Sequence, residues 1–484
     1  MPKQGLAPAP RPYQLDGVKF VLDALSPNTE HNTQVDTPAR PGHRAAMLAD
    51  DPGLGKSLMA ILVAKARDAR RVLIIAPAIG RVSWPLEIRK FWPEMAHFTR
   101  VPGHNSFPAS LLDDRIVLIL SYDTFSHGAT MKRWAGPLRE RRWDLLVLDE
   151  AHYLKEGSSN RTRAIYGDRF THRGIQSTAD QVLLLTGSPT PNHAGELFPH
   201  YRTFWPDLLS HEGKPLGQAD FEERYTRYTD GTWGRSIHGS QGQDVLRKAF
   251  APVLLRRRRR DVLEELPPLQ VEDVPLVMSG TTAGPSWHVS QRDQIDMLMP
   301  VPLEALPDTL RAGETHLATL RRLLGEAKAA PAAEWAREKL STGVDKILLF
   351  AWHTQVIETL AKLLLDFNPV IITGATSTAE RETAVRLFQD DPETRVFVGQ
   401  IKAAGTAITL TAASHIGIVE PSWVPGENDQ VIARAWRMGQ ARPVIASFLY
   451  APGSLDQRIM RAFRRKASEL LEIYETEKTE RVHV

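Results

Sequence analysis

The chain has no cysteine among its 484 residues. Disulfide scaffolds, thiolate nucleophiles and cysteine-held metal sites are thereby excluded. Long hydrophobic runs are also missing, and stretches such as Val72 to Ala76 are far too short to cross a bilayer. The opening residues, Met1-Pro2-Lys3-Gln4-Gly5, lack the apolar core of a secretory signal. Charge of one sign is nearly cancelled, with 60 Lys and Arg against 57 Asp and Glu. Any basic face that holds a polyanion must therefore be local. Histidines are scattered without metal-ligand spacing, and there is no short-period repeat or long low-complexity tract. A reducing compartment follows, most simply the cytoplasm.

What is present is ordinary in bulk: 42% hydrophobic and 24% charged residues, in a chain too long for one core. From Arg11 to about residue 206, short apolar runs alternate with helical patterns. Candidate strands are Ala45–Ala49, Val72–Ala76, Val117–Ser121, Leu145–Leu148 and Val182–Thr186. A second series follows at Ile347–Phe350, Val370–Ile372, Val396–Val398, Ile416–Val419 and Ile445–Leu449. Strands alternating with helices predict an α/β class with parallel sheets, here in two lobes. The expected division is lobe one over 1–265, an inter-lobe connection over 266–284 opened by Pro267-Pro268, and lobe two over 285–484. Residues 207–255 read as a helical protrusion, about 285–340 as a helical insertion, and Ser468 to Arg481 as a charged helix.

Chemistry concentrates in two stretches. Asp51-Pro52-Gly53-Leu54-Gly55-Lys56-Ser57 follows the first candidate strand and opens a helical pattern. A triphosphate needs backbone N–H groups, a cation and a metal. Gly53 and Gly55 let the backbone turn and approach phosphate, Lys56 can reach the β/γ oxygens, and the Ser57 hydroxyl can ligate Mg²⁺. The strict pattern wants glycine where this chain has Asp50, which suits the looser loop of helicase-type ATPases. Asp149-Glu150-Ala151-His152 ends another apolar run. Asp149 at a strand end can hold Mg²⁺, and Glu150 can polarise the attacking water as general base. An acidic pair alone is equally a solvated turn; after such a loop and such a strand it is half of an ATP site.

The stretch Asp429 to Gln440 places Arg434 and Arg437 three residues apart, on one face of an expected helix. Guanidinium groups suit a phosphoryl group whose charge develops during transfer. Five arginines in sequence, Arg256 to Arg260, are the most visible basic feature. A charge run is ordinarily a solvated face, against which stand direct DNA contact and bracing of the lobes. Two α/β lobes carrying these groups lead us to expect ATP in a cleft between them.

These motifs resemble the Swi/Snf-like branch of superfamily-two DNA translocases, most nearly its SMARCAL-type annealing helicases, over roughly Arg11 to Ile459. The resemblance implies two RecA-like lobes. Arg11-Pro12-Tyr13-Gln14 is similar to the entry motif, implying that Gln14 reads adenine. Asp50 to Ser57 resembles motif I, with Lys56 catalytic as well as phosphate-binding, and Asp149 to His152 resembles motif II. Leu185 to Asn192 resembles motif III, implying coupling roles for Thr186 and Ser188 beside His152. Ala403-Ala404-Gly405 through Ala413 resembles motif V, and Pro421 onward leads into motif VI, implying a coupling role for Gln430 and a finger role for Arg434 and Arg437. Backbone contacts to DNA are implied at Ala76-Pro77-Ala78, motif III, Phe350 to His353 and motif V. The implied protein is a bare, monomeric, DNA-stimulated ATPase using ATP and Mg²⁺, of a kind a phage or bacterium encodes. It would translocate on duplex or forked DNA and remodel DNA or displace bound protein. A strand-separating DNA or RNA helicase and a nucleotide-switched DNA-binding scaffold remain alternatives.

Overall fold

The computed structural model describes residues 9–26, 43–103, 113–168, 173–231, 234–263, 265–277, 314–404 and 408–474. The chain forms two units: one takes residues up to Thr226 together with Ser240–Val262, the other Arg227–Gly239 together with Leu263–Glu472.

The strands of the first unit's main sheet are β1 (Ala45–Leu48), β2 (Arg71–Ala76), β3 (Thr99–Arg100), β4 (Ile116–Ser121), β5 (Trp143–Asp149) and β6 (Ala179–Leu185). Two short hairpins follow, β7 (Ser210–His211) with β8 (Lys214–Pro215) and β9 (Thr226–Gly231) with β10 (Gly234–Ser240), before β11 (Leu254–Leu255) completes that sheet. The order is β11-β1-β6-β5-β2-β4-β3, and every pairing is parallel. Strands such as β4 are buried at every residue. That explains why they read as unbroken apolar runs: helices cover both faces.

The second unit has β12 (Leu269–Pro275), β13 (Ile347–Ala351), β14 (Val370–Ile372), β15 (Val396–Gln400), β16 (His415–Ile418) and β17 (Val444–Tyr450), in the order β12-β17-β16-β13-β15-β14, again all parallel. A capping box formed by Ser377 and Glu380 starts the helix Thr378–Asp390 between β14 and β15.

Several expectations change. The stretch expected as an inter-lobe connection supplies β12, the edge strand of the second sheet. Its outward residues are polar, as an edge allows, so no apolar run announces it. The expected helical protrusion is mixed. Helices Gln218–Tyr225 and Gln243–Phe250 flank the β9–β10 hairpin, whose polar sequence hid its strands. That hairpin belongs to the second unit, where Arg227 pairs with Glu469 and Arg465 donates to the His238 carbonyl. The terminal helix begins at Leu455, well before Ser468, and is described to Tyr474. Much of the expected insertion lies outside the described residues; its later part is the helix Glu314–Ser341.

Candidate nucleotide site

The phosphate-loop residues lie at the C-terminal end of β1, where open α/β sheets bind ligands. Gly53 and Gly55 adopt φ of +89° and +81°, the left-handed region that glycine enters without strain. Gly55 is doubly required, because a Cβ there would meet the Gln14 amide nitrogen at 2.4 Å. Gln14 lies against the loop, its amide donating to the Leu54 carbonyl at 3.2 Å while its oxygen accepts from the Arg11 N–H at 2.9 Å. The helix Lys56–Ala66 starts directly after the loop.

The Lys56 ammonium folds back over the loop, donating to the carbonyls of Asp50 at 2.6 Å and Asp51 at 3.2 Å. Burial lowers its pKa, opposed by the charges of Glu150, Asp50, Asp51 and Asp149. Lys56 thus lies within electrostatic reach of Asp149, at the end of β5, and of Glu150 next to it. Asp149 Oδ2 accepts from the Trp84 indole at 2.8 Å, and the Asp149 carbonyl accepts from the Tyr122 hydroxyl at 2.8 Å. Burial and the neighbouring Glu150 raise the Asp149 carboxyl to about 6, against the Trp84 hydrogen bond and Lys56.

Glu150 holds a φ of +51°, a costly conformation for a residue with a side chain. His152 Nδ1 lies 3.2 Å from Glu150 Oε2 and 3.1 Å from the Thr186 hydroxyl, which accepts from the Ser188 N–H at 3.0 Å. One polar chain thereby joins the acidic pair to the Leu185–Asn192 stretch. A second closes the far end: Lys155 and Asn192 both donate to Glu196 Oε1, at 2.6 and 2.7 Å.

The arginine run has an inward role. Arg257 forms a two-pronged pair with Asp50, which is fully buried, and donates to the Tyr13 carbonyl. Arg256 lies 3.8 Å from Asp51 and donates to the Gly187 carbonyl at 3.2 Å. The Arg259 N–H donates to Asp51 Oδ2 at 3.1 Å. Asp50, the departure from the strict loop pattern, and its neighbour Asp51 are therefore matched by Arg257 and Arg256 some two hundred residues later. The expectation of a solvated face fails for these residues because unmatched buried carboxylates would be too costly.

The second unit places Arg434 and Arg437 differently from the expected helix. The helix Pro425–Ile432 stops short of both. The Arg434 carbonyl accepts from Leu410 N at 2.9 Å, and the Gln440 amide donates to the Ala413 carbonyl at 2.8 Å and to that of Ala435 at 3.3 Å. These tertiary bonds take groups a continuing helix would need, and Gly439 turns the chain at φ +94°. Arg434 is 8% exposed. Arg437 donates to the Ile408 carbonyl at 3.3 Å, and burial lowers its pKa. Gln430 is half-buried near that helix's end. Gly405 of motif V lies outside the described residues.

At the C-terminal end of β13, Arg321 and Lys402 lie 4.5 and 4.6 Å from the Trp352 ring centre. His353 pairs with the buried Glu420 at 2.7 Å. The Trp352 ring is half-buried against the core of the second unit, with these cations beside it.

The residues fit ATP with Mg²⁺. The Ser57 hydroxyl and the Asp149 carboxylate, which accepts from the Trp84 indole, are both hard oxygen donors of the kind that Mg²⁺ prefers. The Lys56 ammonium, lying over the loop carbonyls, could serve as the cation for phosphates bound at the loop.

A family model described as SNF2-related domain matches residues 13–288, and one described as helicase conserved C-terminal domain matches 332–439. The human DNA annealing helicase and endonuclease ZRANB3 is 27% identical over 466 residues, covering 94% of this chain and 39% of that protein. A Caenorhabditis elegans homolog of SWI/SNF-related matrix-associated actin-dependent regulator of chromatin subfamily A-like protein 1 is 28% identical over 470 residues, covering 95% of this chain and 61% of that protein. The chain thus spans less than two thirds of the length of these relatives. The Sulfolobus solfataricus SWI2/SNF2 ATPase core in complex with dsDNA is similar over 98% of both chains, with 20% identity and a TM-score of 0.42.

Proposed function

The chain belongs to the SNF2-related family, and from that premise we propose that it is a DNA-dependent ATPase that translocates on duplex or forked DNA, remodelling or annealing DNA or displacing bound protein. The observation that carries this reading is the arrangement of loop, lysine and acidic pair at the C-terminal ends of one sheet's strands, with His152 Nδ1 3.2 Å from Glu150 Oε2 and 3.1 Å from the Thr186 hydroxyl.

In this reading Gln14 recognises adenine, the loop backbone with Gly53 and Gly55 cradles the phosphates, and Lys56 neutralises their charge. Mg²⁺, held by Ser57 and Asp149, would polarise the phosphoryl oxygens for attack. Glu150 orients the attacking water and accepts its proton. Arg434 and Arg437, from the second unit, stabilise charge on the transferring group. His152, Thr186, Ser188 and Gln430 carry the nucleotide state to the DNA-contacting stretches. Relaxation of the first unit's polar chain after hydrolysis is what turns chemistry into movement.

Sequence-independent stepping requires phosphate contacts, because base contacts would stall a motor at favoured sites. The exposed Lys402 beside Trp352, with the partly buried Arg321 on the same ring, offers such a cationic contact. The human relative's name includes annealing helicase, which supports remodelling as the output. We read the motor as monomeric and as working in a reducing compartment, since it lacks cysteine. Abundant arginine and alanine fit a GC-rich genome; a bacterial or phage source and a cytoplasmic location belong to the same proposal.

Triplex displacement tests the reading. The protein should displace a third strand from duplex DNA in the presence of ATP, while leaving a forked duplex paired. Strand separation without triplex displacement would establish the helicase alternative instead.

A further inference from the structure

The Asp149 carboxylate has a partner that its motif does not contain. Trp84 lies in the helix Gly80–Phe91, is 2% exposed, and donates its indole N–H to Asp149 Oδ2 at 2.8 Å. The indole nitrogen can only donate. The bond therefore fixes which carboxylate oxygen faces the helix and turns Oδ1 to the other side of the carboxylate. Tyr122 anchors the backbone carbonyl of the same residue at 2.8 Å. Main chain and side chain of Asp149 are thus held independently.

The tryptophan is itself held with little slack. A Cβ on Gly80 would come within 2.5 Å of Ala76 Cβ and 3.3 Å of Trp84 Cδ1. Val147 and Ile61 belong to the same core cluster as Trp84. Its helix follows directly on Ala76-Pro77-Ala78, a stretch expected to meet the DNA backbone.

The geometry points to Trp84 as a positioning residue for the metal. Its indole acts as the outer-shell donor that orients the Asp149 carboxylate, with Oδ1 toward Mg²⁺ bound with the nucleotide. This rests on the ATPase reading and adds to it a residue outside the phosphate loop and the acidic motif. Outer-shell partners of metal ligands cost roughly 10–100-fold in metal affinity or activity when removed. A tryptophan that merely fills space would cost stability and leave metal affinity unchanged.

The test uses the full chain and a fluorescent ATP analogue, with binding measured in EDTA and across a Mg²⁺ titration. Wild type, Trp84→Phe and Trp92→Phe are compared. Trp92 shares the core cluster of Trp84 and is 9% exposed. Trp84→Phe should bind the analogue in EDTA as wild type does, with its Mg²⁺ half-saturation raised about 10–100-fold. Trp92→Phe should keep the wild-type Mg²⁺ response. A Trp84→Phe titration that overlays wild type, or an equal shift in Trp92→Phe, overturns the assignment. Should Trp84→Phe not fold, indole ¹⁵N resonances of the wild type decide. One must move when Mg²⁺ is added to the nucleotide-bound protein, and an unmoved set overturns the inference. Wild type that binds no analogue in either condition refutes the ATPase reading itself, whereas Mg²⁺-dependent binding shared equally by Trp84→Phe refutes only the role of Trp84.

Discussion

The two halves of the proposed machinery are built in contrasting ways. Around the phosphate loop, side chains bind side chains: Arg257 grips Asp50, Trp84 grips Asp149, His152 sits between Glu150 and Thr186. Around Arg434 and Arg437 the backbone is fixed instead, by Leu410 N and by the Gln440 amide, and the Arg437 guanidinium reaches one carbonyl at 3.3 Å. The first unit is thus preorganised at the level of its functional groups, which is what electrostatic catalysis requires. The second presents its arginines from a fixed turn, with the charged tip of Arg437 held, among the described residues, by a long bond to the Ile408 carbonyl. A group that must meet charge only while it develops gains from that freedom.

Removing the arginines should break the contrast most severely. Arg434→Ala or Arg437→Ala is expected to lower DNA-stimulated phosphate release by ~10³–10⁵-fold, with nucleotide binding by the first unit retained in an equilibrium assay. If either variant instead lost nucleotide binding and kept turnover, the division of labour would be wrong. Next in size, Glu150→Gln should cost ~10²–10⁴-fold in turnover, the range for a positioned general base. Its nucleotide affinity should stay near wild type in the same assay. Lys56→Ala should lose both.

The preorganised half also makes stability predictions. Arg257→Met strands a buried carboxylate at Asp50 and should destabilise the protein by about 3–5 kcal/mol in denaturant unfolding. Changing Asp50 and Arg257 together to apolar residues should cost clearly less, and equal losses would show that the pair is not coupled. The smallest effect concerns His200, fully buried with Nδ1 2.7 Å from the Tyr166 hydroxyl. Burial, reinforced by His152, lowers its pKa from 6.5 to about 3, against Glu196. The folded state therefore favours the neutral ring, while the unfolded chain takes up a proton below its ordinary pKa of 6.5. The resulting stabilisation is present above that value and is lost progressively as pH falls toward about 3. Between pH 7 and pH 5 it amounts to about 2 kcal/mol. His200→Gln should lack this component in a pH series of unfolding curves, and parallel curves would contradict it.

Legibility in the sequence follows the same division. The central strands and both acids were readable because buried parallel strands are continuous apolar runs ending at ligand sites. Asp50 and Arg257 each looked like an oddity, one a departure from the loop pattern and the other part of a charge run. Only folding shows that each explains the other. The signal was there in kind, as two acids inside the loop stretch and a run of five arginines, but nothing in one sequence aligns residues so far apart. Trp84 was illegible for the same reason: an indole on a helix gives no sign of its acceptor on another strand. The helix expected through Arg434 failed because local spacing cannot anticipate that Leu410 and Gln440 take the backbone groups it needed.

Phosphate release by the purified chain, measured with no DNA and with single-stranded, duplex and forked DNA alongside Glu150→Gln, tests the central claim most directly. The account predicts strong stimulation of the wild type by duplex or forked DNA and none in the variant. Turnover indifferent to DNA, or undiminished in Glu150→Gln, would contradict it.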